Sequence, residues 1–153
     1  MSRATPVDFA TTLRVRDCCL CLHVQRAART LARRFDEALR AVGLTNGQFS
    51  LLLSLNRPEP PSMASVANLL AMDRTTLTAA LKPLERRGLL KVGRDPSDRR
   101  SRLLSLTPQG RGLLARAVPS WEKAHREVEA QLADEGRDSS DADRLRRSLL
   151  ALC

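Results

Sequence analysis

A cluster of polar side chains begins just after Asp73 and could read the bases of DNA. Its members are Arg74, Thr75, Thr76 and Thr78. An arginine can hold the edge of a guanine with two hydrogen bonds, and a threonine can bond to a base or pack its methyl group on thymine. Apolar residues recur behind the cluster at Leu77, Ala80, Leu81 and Leu84. This spacing predicts a helix over 74–87 that presents base-reading side chains in its first two turns.

Other residues of the same predicted helix suit different roles. Lys82 and Arg87 lie farther along it, where phosphates are the expected partners. Asp73 is expected to cap the helix, and Gly88 is expected to end it. Thr76 lies three residues after the expected cap Asp73, at the position whose side chain pairs back with the cap in a capping box. A purely structural role for Thr76 therefore stays open.

An arginine-rich segment, RDPSDRRSR, follows at 94–102. Its cations are Arg94, Arg99, Arg100 and Arg102. Apolar runs on either side indicate the two strands of a hairpin, so the cations are expected on its loop and flanks. An arginine on a thin loop can enter a narrow minor groove, where negative potential is concentrated. Asp98 is expected to support a neighbouring arginine and fix the shape of the loop, and a merely solvated charged loop is the alternative.

The elements that must position these side chains follow from apolar periodicity and from capping signals. Helices are predicted at 13–42, 48–57, 63–70, 74–87, 108–134 and 141–152, strands at 89–92 and 103–106, and a polar linker at 135–140. Thr45 and Gln48 form a capping box, and Ser62 can cap the helix that follows it. The predicted fold is mainly α-helical, with a small β-hairpin wing on a helix-turn-helix.

Three segments of the chain resemble the MarR family of bacterial transcription regulators: LTNGQF at 44–49, VANLLAMDRTTLTAALKPLERRGLL at 66–90 and DPSDRRSRLLSLTPQG at 95–110. The resemblance implies a homodimer that binds a double-stranded DNA operator. It further implies dimerisation helices at 1–44 and 111–153 and a winged helix-turn-helix lobe at 45–110. By the same resemblance, Asp98 and Arg100 carry the salt bridge of the wing and its minor-groove contact.

The resemblance also implies an effector, typically an aromatic or acyl-type small molecule that releases the operator. Candidate residues for its pocket are Phe35, Phe49, Trp121, His23 and Arg26. Each aromatic residue has a plain alternative as part of the hydrophobic core. We therefore expect a repressor released from a pseudo-palindromic operator by a small ligand.

Four cysteines offer a different switch. Cys18, Cys19 and Cys21 lie close together near the N-terminus, and Cys153 is the last residue. Cys21 falls where the organic-hydroperoxide sensors of the family keep their reactive cysteine, although this chain lacks the tyrosines that hold it there. A thiol-based peroxide sensor is thus an alternative, and packing of small apolar thiols at a helix interface is another.

The composition favours a nucleic-acid partner and excludes several other classes. The 153 residues carry 26 Lys and Arg against 17 Asp and Glu, a net charge of +9. No segment reaches the roughly 18 apolar residues of a membrane span, and no signal peptide is recognisable, so we expect a cytoplasmic protein without a membrane partner. No nucleophile motif or metal-ligand set is evident, so we expect no enzyme, cofactor or metal. A generic basic nucleic-acid binder remains an alternative.

Overall fold

The computed structural model describes residues 6–134 and 140–153 of the chain. The elements are α1 (Phe9–Cys18), α2 (Leu20–Leu39), a short 3₁₀ turn (Arg40–Val42), α3 (Asn46–Ser54), α4 (Met63–Leu69), α5 (Arg74–Arg86), β1 (Leu90–Arg94), β2 (Arg102–Leu106), α6 (Pro108–Asp134) and α7 (Ser140–Leu150). The chain divides into two units, Met1–Arg34 and Phe35–Cys153. The predicted linker at 135–140 lies, except for its last residue, outside the described part.

In the N-terminal unit, the single helix predicted over 13–42 is wrong. Asp8 begins α1 earlier, because its carboxylate accepts the N–H of Thr11 at 2.8 Å. Cys19 then adopts an extended conformation (φ −71°, ψ 101°), which interrupts the helical hydrogen-bond ladder. A second helix, α2, starts at Leu20, and the 3₁₀ turn follows its last residue.

The second unit contains the predicted helix-turn-helix. Thr45 and Gln48 form the expected capping box, although α3 begins at Asn46 and ends at Ser54 instead of covering 48–57. Ser62 caps α4 by accepting the N–H of Ser65, and Asp73 caps α5. On α5 the side chains of Leu77, Leu81 and Leu84 are buried at intervals of three or four residues, which fixes the face that the helix turns to solvent.

The two strands form the predicted hairpin. At the loop side, β1 ends two residues later than predicted and β2 begins one residue earlier. They pair antiparallel, with Leu90 opposite Leu106 and Arg94 opposite Arg102. On its other edge, β2 is tied to the entry of α4: Leu104 donates its N–H to the carbonyl of Pro61 at 2.9 Å, and Leu103 forms a β-bridge with the capping residue Ser62. The wing is therefore held against the first turn of α4.

A leucine-rich core lies between these elements. Its fully buried members include Leu39, Leu51, Leu52, Val66, Leu77, Leu84, Leu89, Leu90 and Leu104. The start of α6 packs tightly on this core through Thr107, which caps the helix at the N–H of Gly110 and donates its hydroxyl to the carbonyl of Gly88. Among the described residues, no helix is both long and apolar enough to cross a membrane.

Candidate nucleic-acid interface

The exposed face of α5 carries the residues that the sequence assigned to base reading. Arg74, Thr75, Thr78 and Lys82 line one shallow concavity on it, together with Ala79. They alternate with the buried leucines of the same helix, so the core packing turns all four of them outward. The hydroxyl of Thr78 donates to the carbonyl of Arg74 at 2.7 Å, which leaves its methyl group and a lone pair for a partner.

Thr76 is committed to the helix cap. Its N–H donates to Asp73 at 2.8 Å, and its hydroxyl donates to the other carboxylate oxygen at 2.6 Å. These hydrogen bonds from the Thr76 hydroxyl and N–H hold the pKa of the Asp73 carboxyl below its ordinary value. The structural role that the sequence left open for Thr76 is therefore present, and its assignment to DNA stays a prediction.

The loop of the wing is shaped by acidic side chains that bind its backbone. Asp98 accepts the backbone N–H of Arg100 at 2.9 Å, and its carbonyl accepts the N–H of Ser101 at 3.0 Å. Asp95 accepts the hydroxyl and the N–H of Ser97, and these bonds lower the pKa of the Asp95 carboxyl. The resemblance implied a side-chain salt bridge from Asp98 to Arg100. In the described structure the carboxylate of Asp98 binds the backbone of Arg100, and the salt bridge stays a prediction.

Arg74 and Arg100 line the same surface groove, although 26 positions separate them in the sequence. The groove has a volume of about 330 Å³ and lies between α4, the start of α5 and the wing. Ala64 and Ala67 of α4 line it too, and so does Arg102 at the start of β2. The sequence marks Arg102 as a loop cation only, and nothing in it points to either alanine, because only the tertiary packing turns them toward the wing.

The remaining predicted DNA contacts are placed as follows. Arg87 donates to the carbonyl of Gly43 at 3.0 Å and so ties the end of α5 to the turn that follows α2. Arg94 lies opposite Arg102 in the last strand pair before the loop of the hairpin, and Arg99 is exposed in that loop. Contacts of these side chains with DNA stay predictions.

Three of the five predicted effector residues meet around Trp121. Its ring is 6.0 Å from that of Phe49 and 6.3 Å from that of Phe35, measured between centroids. Both phenylalanines are buried, so they also serve the core. His125, a residue that no sequence signal assigned to this pocket, stacks on Trp121 with 4.7 Å between the ring centroids. His23 and Arg26 belong to the N-terminal unit and are exposed there.

Three cysteines surround the break between α1 and α2. Cys18 and Cys21 are exposed, and Cys19 is half-buried. The sulfur of Cys19 accepts the N–H of Leu22 at 3.4 Å, so this thiol caps the start of α2. The sulfur of Cys21 accepts a hydrogen bond from the amide of Gln25 at 3.2 Å. Cys153 is exposed in the second unit.

The sequence of this chain is similar to those of known transcription regulators. Residues 44–101 match the model of the MarR family. The organic hydroperoxide resistance transcriptional regulator of Bacillus subtilis is 32% identical over 99 residues, which cover 65% of this chain and 67% of that regulator. Some curated relatives are longer, and the chain spans about half of their length, 48% of one and 54% of another.

Solved structures resemble the whole fold. The Mycobacterium tuberculosis regulator MosR in complex with DNA has a TM-score of 0.76 and 37% identity, over 88% of this chain and 92% of that chain. CouR of Rhodococcus jostii, bound to p-coumaroyl-CoA, has a TM-score of 0.74 and 25% identity, over 89% of this chain and 92% of that chain. The helix-turn-helix, its hairpin wing and these likenesses confirm the predicted fold class, and the chain belongs to the MarR family of transcription regulators.

Proposed function

We propose that this chain is one subunit of a homodimeric repressor that binds a pseudo-palindromic operator in double-stranded DNA. The observation that carries the proposal is the groove in which Arg74 of α5 and Arg100 of the wing come together. In a winged helix-turn-helix the recognition helix enters the major groove, and an arginine on a thin loop suits the adjacent minor groove. The net charge of +9 adds a sequence-independent attraction to the phosphates.

Exposed apolar side chains support the homodimer. In the N-terminal unit these include Leu20 and Leu31, and near the C-terminus they include Leu145, Leu149 and Leu152. Helices that expose such residues are stabilised when a partner covers them, and a two-fold symmetric dimer is the simplest closed arrangement that does so. A dimer would also present two recognition helices to two half-sites about one helical turn apart.

A small aromatic or acyl-type ligand is the proposed signal for release. The support is the cluster of Phe35, Phe49, Trp121 and His125, which combines aromatic surface with one polar group. The solved complex of CouR with p-coumaroyl-CoA shows that a relative of this fold holds an aromatic acyl thioester.

The test is a mobility-shift titration on the DNA upstream of the chain's own gene, with random duplex as competitor. Retention on the upstream fragment supports a specific regulator. Release by the competitor would contradict it and leave a generic basic nucleic-acid binder. Addition of p-coumaroyl-CoA and of simple aromatic acids then tests release by a ligand of the proposed class.

A thiol-based peroxide switch that uses Cys21 is the second candidate, and the observation that favours it is the exposure of this thiol beside Cys18 and Cys19. The sulfur of Cys19 lies at the start of α2, where it accepts the N–H of Leu22. The neighbouring thiols of Cys18 and Cys21 are exposed to oxidants. Cumene hydroperoxide should then release the operator, dithiothreitol should restore binding, and Cys21→Ser should be less sensitive. Equal loss of binding in Cys21→Ser and the wild type would exclude Cys21 as the sensor.

A further inference from the structure

Arg102 has a buried nitrogen that nothing in the described structure satisfies. Its Nη1 atom is inaccessible to solvent, and it has no hydrogen-bond partner among the described residues. A guanidinium nitrogen buried without a partner costs free energy, because its hydration is lost and not replaced. Such an atom indicates a site whose natural partner is an acceptor, and for a cation the best acceptor is an anionic oxygen.

The surroundings of Arg102 are cationic. Arg74 and Arg100 line the same groove, and Asp98 is the acidic residue that lines it with them. The carboxylate of Asp98 already accepts the backbone N–H of Arg100. Three guanidinium groups beside one carboxylate leave a net positive groove, which favours an anion from outside the chain.

The shape of the groove admits a chain-like ligand from solvent. On the α4 side it is lined by Met63 and by the small side chains Ala64 and Ala67. The β-bridge between Ser62 and Leu103 holds β2 beside the first turn of α4, so the backbone of Arg102 stays next to this wall.

The geometry of B-DNA indicates which ligand would lie in this groove. Its major and minor grooves are separated by a sugar–phosphate strand. If α5 enters the major groove and the wing enters the adjacent minor groove, that strand must pass between α5 and the wing. The groove lined by Arg74, Arg100 and Arg102 lies between these two elements.

We propose that this groove is a backbone clamp and that Arg102 binds a DNA phosphate in it. The inference rests on the proposed function, since it assumes the winged mode of binding. It assigns Arg102 a positioning contact that carries no sequence information, in contrast to the base-reading role proposed for Arg74. The alanines of α4 serve the clamp by leaving room for the strand.

The experiment measures Kd by fluorescence anisotropy at 50–200 mM KCl, for full-length protein on the upstream fragment and on a random duplex. One phosphate contact contributes about 0.9 to the slope of log Kd against log salt, which is about 3.5-fold over this fourfold range. Arg102→Gln should therefore lower the slope by about 0.9 per subunit on both DNAs and leave the ratio of the two Kd values unchanged. Arg116→Gln, on α6 and outside the groove, is the matched control and should keep the wild-type slope.

Further variants distinguish loss of the phosphate contact from misfolding. Arg102→Lys keeps the charge and should keep the salt slope while binding more weakly than the wild type, because it loses the guanidinium fork. Ala64→Glu should weaken binding to both DNAs at least tenfold more than Ala64→Gln, which has a similar size and no charge. Each variant is first compared with the wild type in thermal unfolding.

The results of this experiment distinguish failure of the proposed function from failure of the clamp. A wild type that does not prefer the upstream fragment contradicts the proposed function, whereas the salt slopes on random duplex still test the clamp. An unchanged slope in Arg102→Gln overturns the clamp, and so do equal effects of Ala64→Glu and Ala64→Gln. A change in the ratio of the two Kd values would also overturn it, because Arg102 would then read bases.

Discussion

The junction between the wing and α6 allows a sharp test of the packing, because two glycines lie close together there in different surroundings. A Cβ atom added to Gly110 would lie 2.9 Å from the carbonyl carbon of Leu89 and closer still to its oxygen. Carbon atoms pack best at about 3.5–4.0 Å. The obstacle is backbone, and it is fixed because Thr107 donates its N–H to this same carbonyl at 3.1 Å. Either that hydrogen bond or the start of α6 must shift.

The expected cost of Gly110→Ala follows from two opposing effects. Overpacking costs roughly 1–3 kcal/mol, and a clash with fixed backbone belongs at the upper end. Alanine regains about 1 kcal/mol over glycine within a helix. The net loss is about 2 kcal/mol in the free energy of unfolding, which lowers the Tm of a chain of this size by about 4–8 °C.

Gly112→Ala is the matched control, two residues farther along α6. The nearest atom to its added Cβ belongs to the mobile end of Arg116, at 4.0 Å, so no overpacking cost arises. This variant should gain up to about 1 kcal/mol and about 2–4 °C in Tm. The assay is urea and thermal unfolding followed by circular dichroism, with unchanged m-values as the condition for comparing midpoints. Equal midpoints for the two alanine variants would refute the reasoning.

The other predictions concern the interface. Arg100→Ala should weaken operator binding strongly, and Arg74→Ala should also relax base preference at one position by roughly 1–3 kcal/mol, as measured by anisotropy on single-base operator variants. Wild-type affinity in either variant would contradict its assigned role. Thr76→Ala should lower Tm because the cap loses a hydrogen bond, whereas Thr75→Ala should leave Tm unchanged and reduce operator preference; the reverse pattern would contradict both assignments. Asp73→Ala should lower Tm at pH 7. Because the folded-state pKa of Asp73 is depressed, its stabilisation is fully present above the ordinary carboxyl pKa, and the difference from wild type should vanish as the pH falls through the depressed value; a difference that persists in acid would argue against the cap.

The local elements of this lobe could be predicted from sequence because short-range physics decides them. The leucine period of α5 determines which of its faces is buried, whatever it packs against. The caps at Thr45 and Asp73 depend on residues only three positions apart. The hairpin follows from two apolar runs around a polar loop. Dimerisation, operator binding and the effector involve partners outside the chain, so they remain proposals.

Other features depend on residues far apart in sequence, and only the tertiary structure decided them. The break at Cys19 is marked by neither a proline nor a glycine, so the sequence predicted one helix through it. Arg74, Arg100 and Arg102 share a groove because the bridge from Ser62 to Leu103 holds the wing beside α4, and that pairing spans 41 positions. Gly110 resembles any helical glycine in sequence, and its close contact with Leu89 appears only when α6 packs on the core. The sequence by itself determined which side chains each element presents, and the packing between elements decided which of them meet.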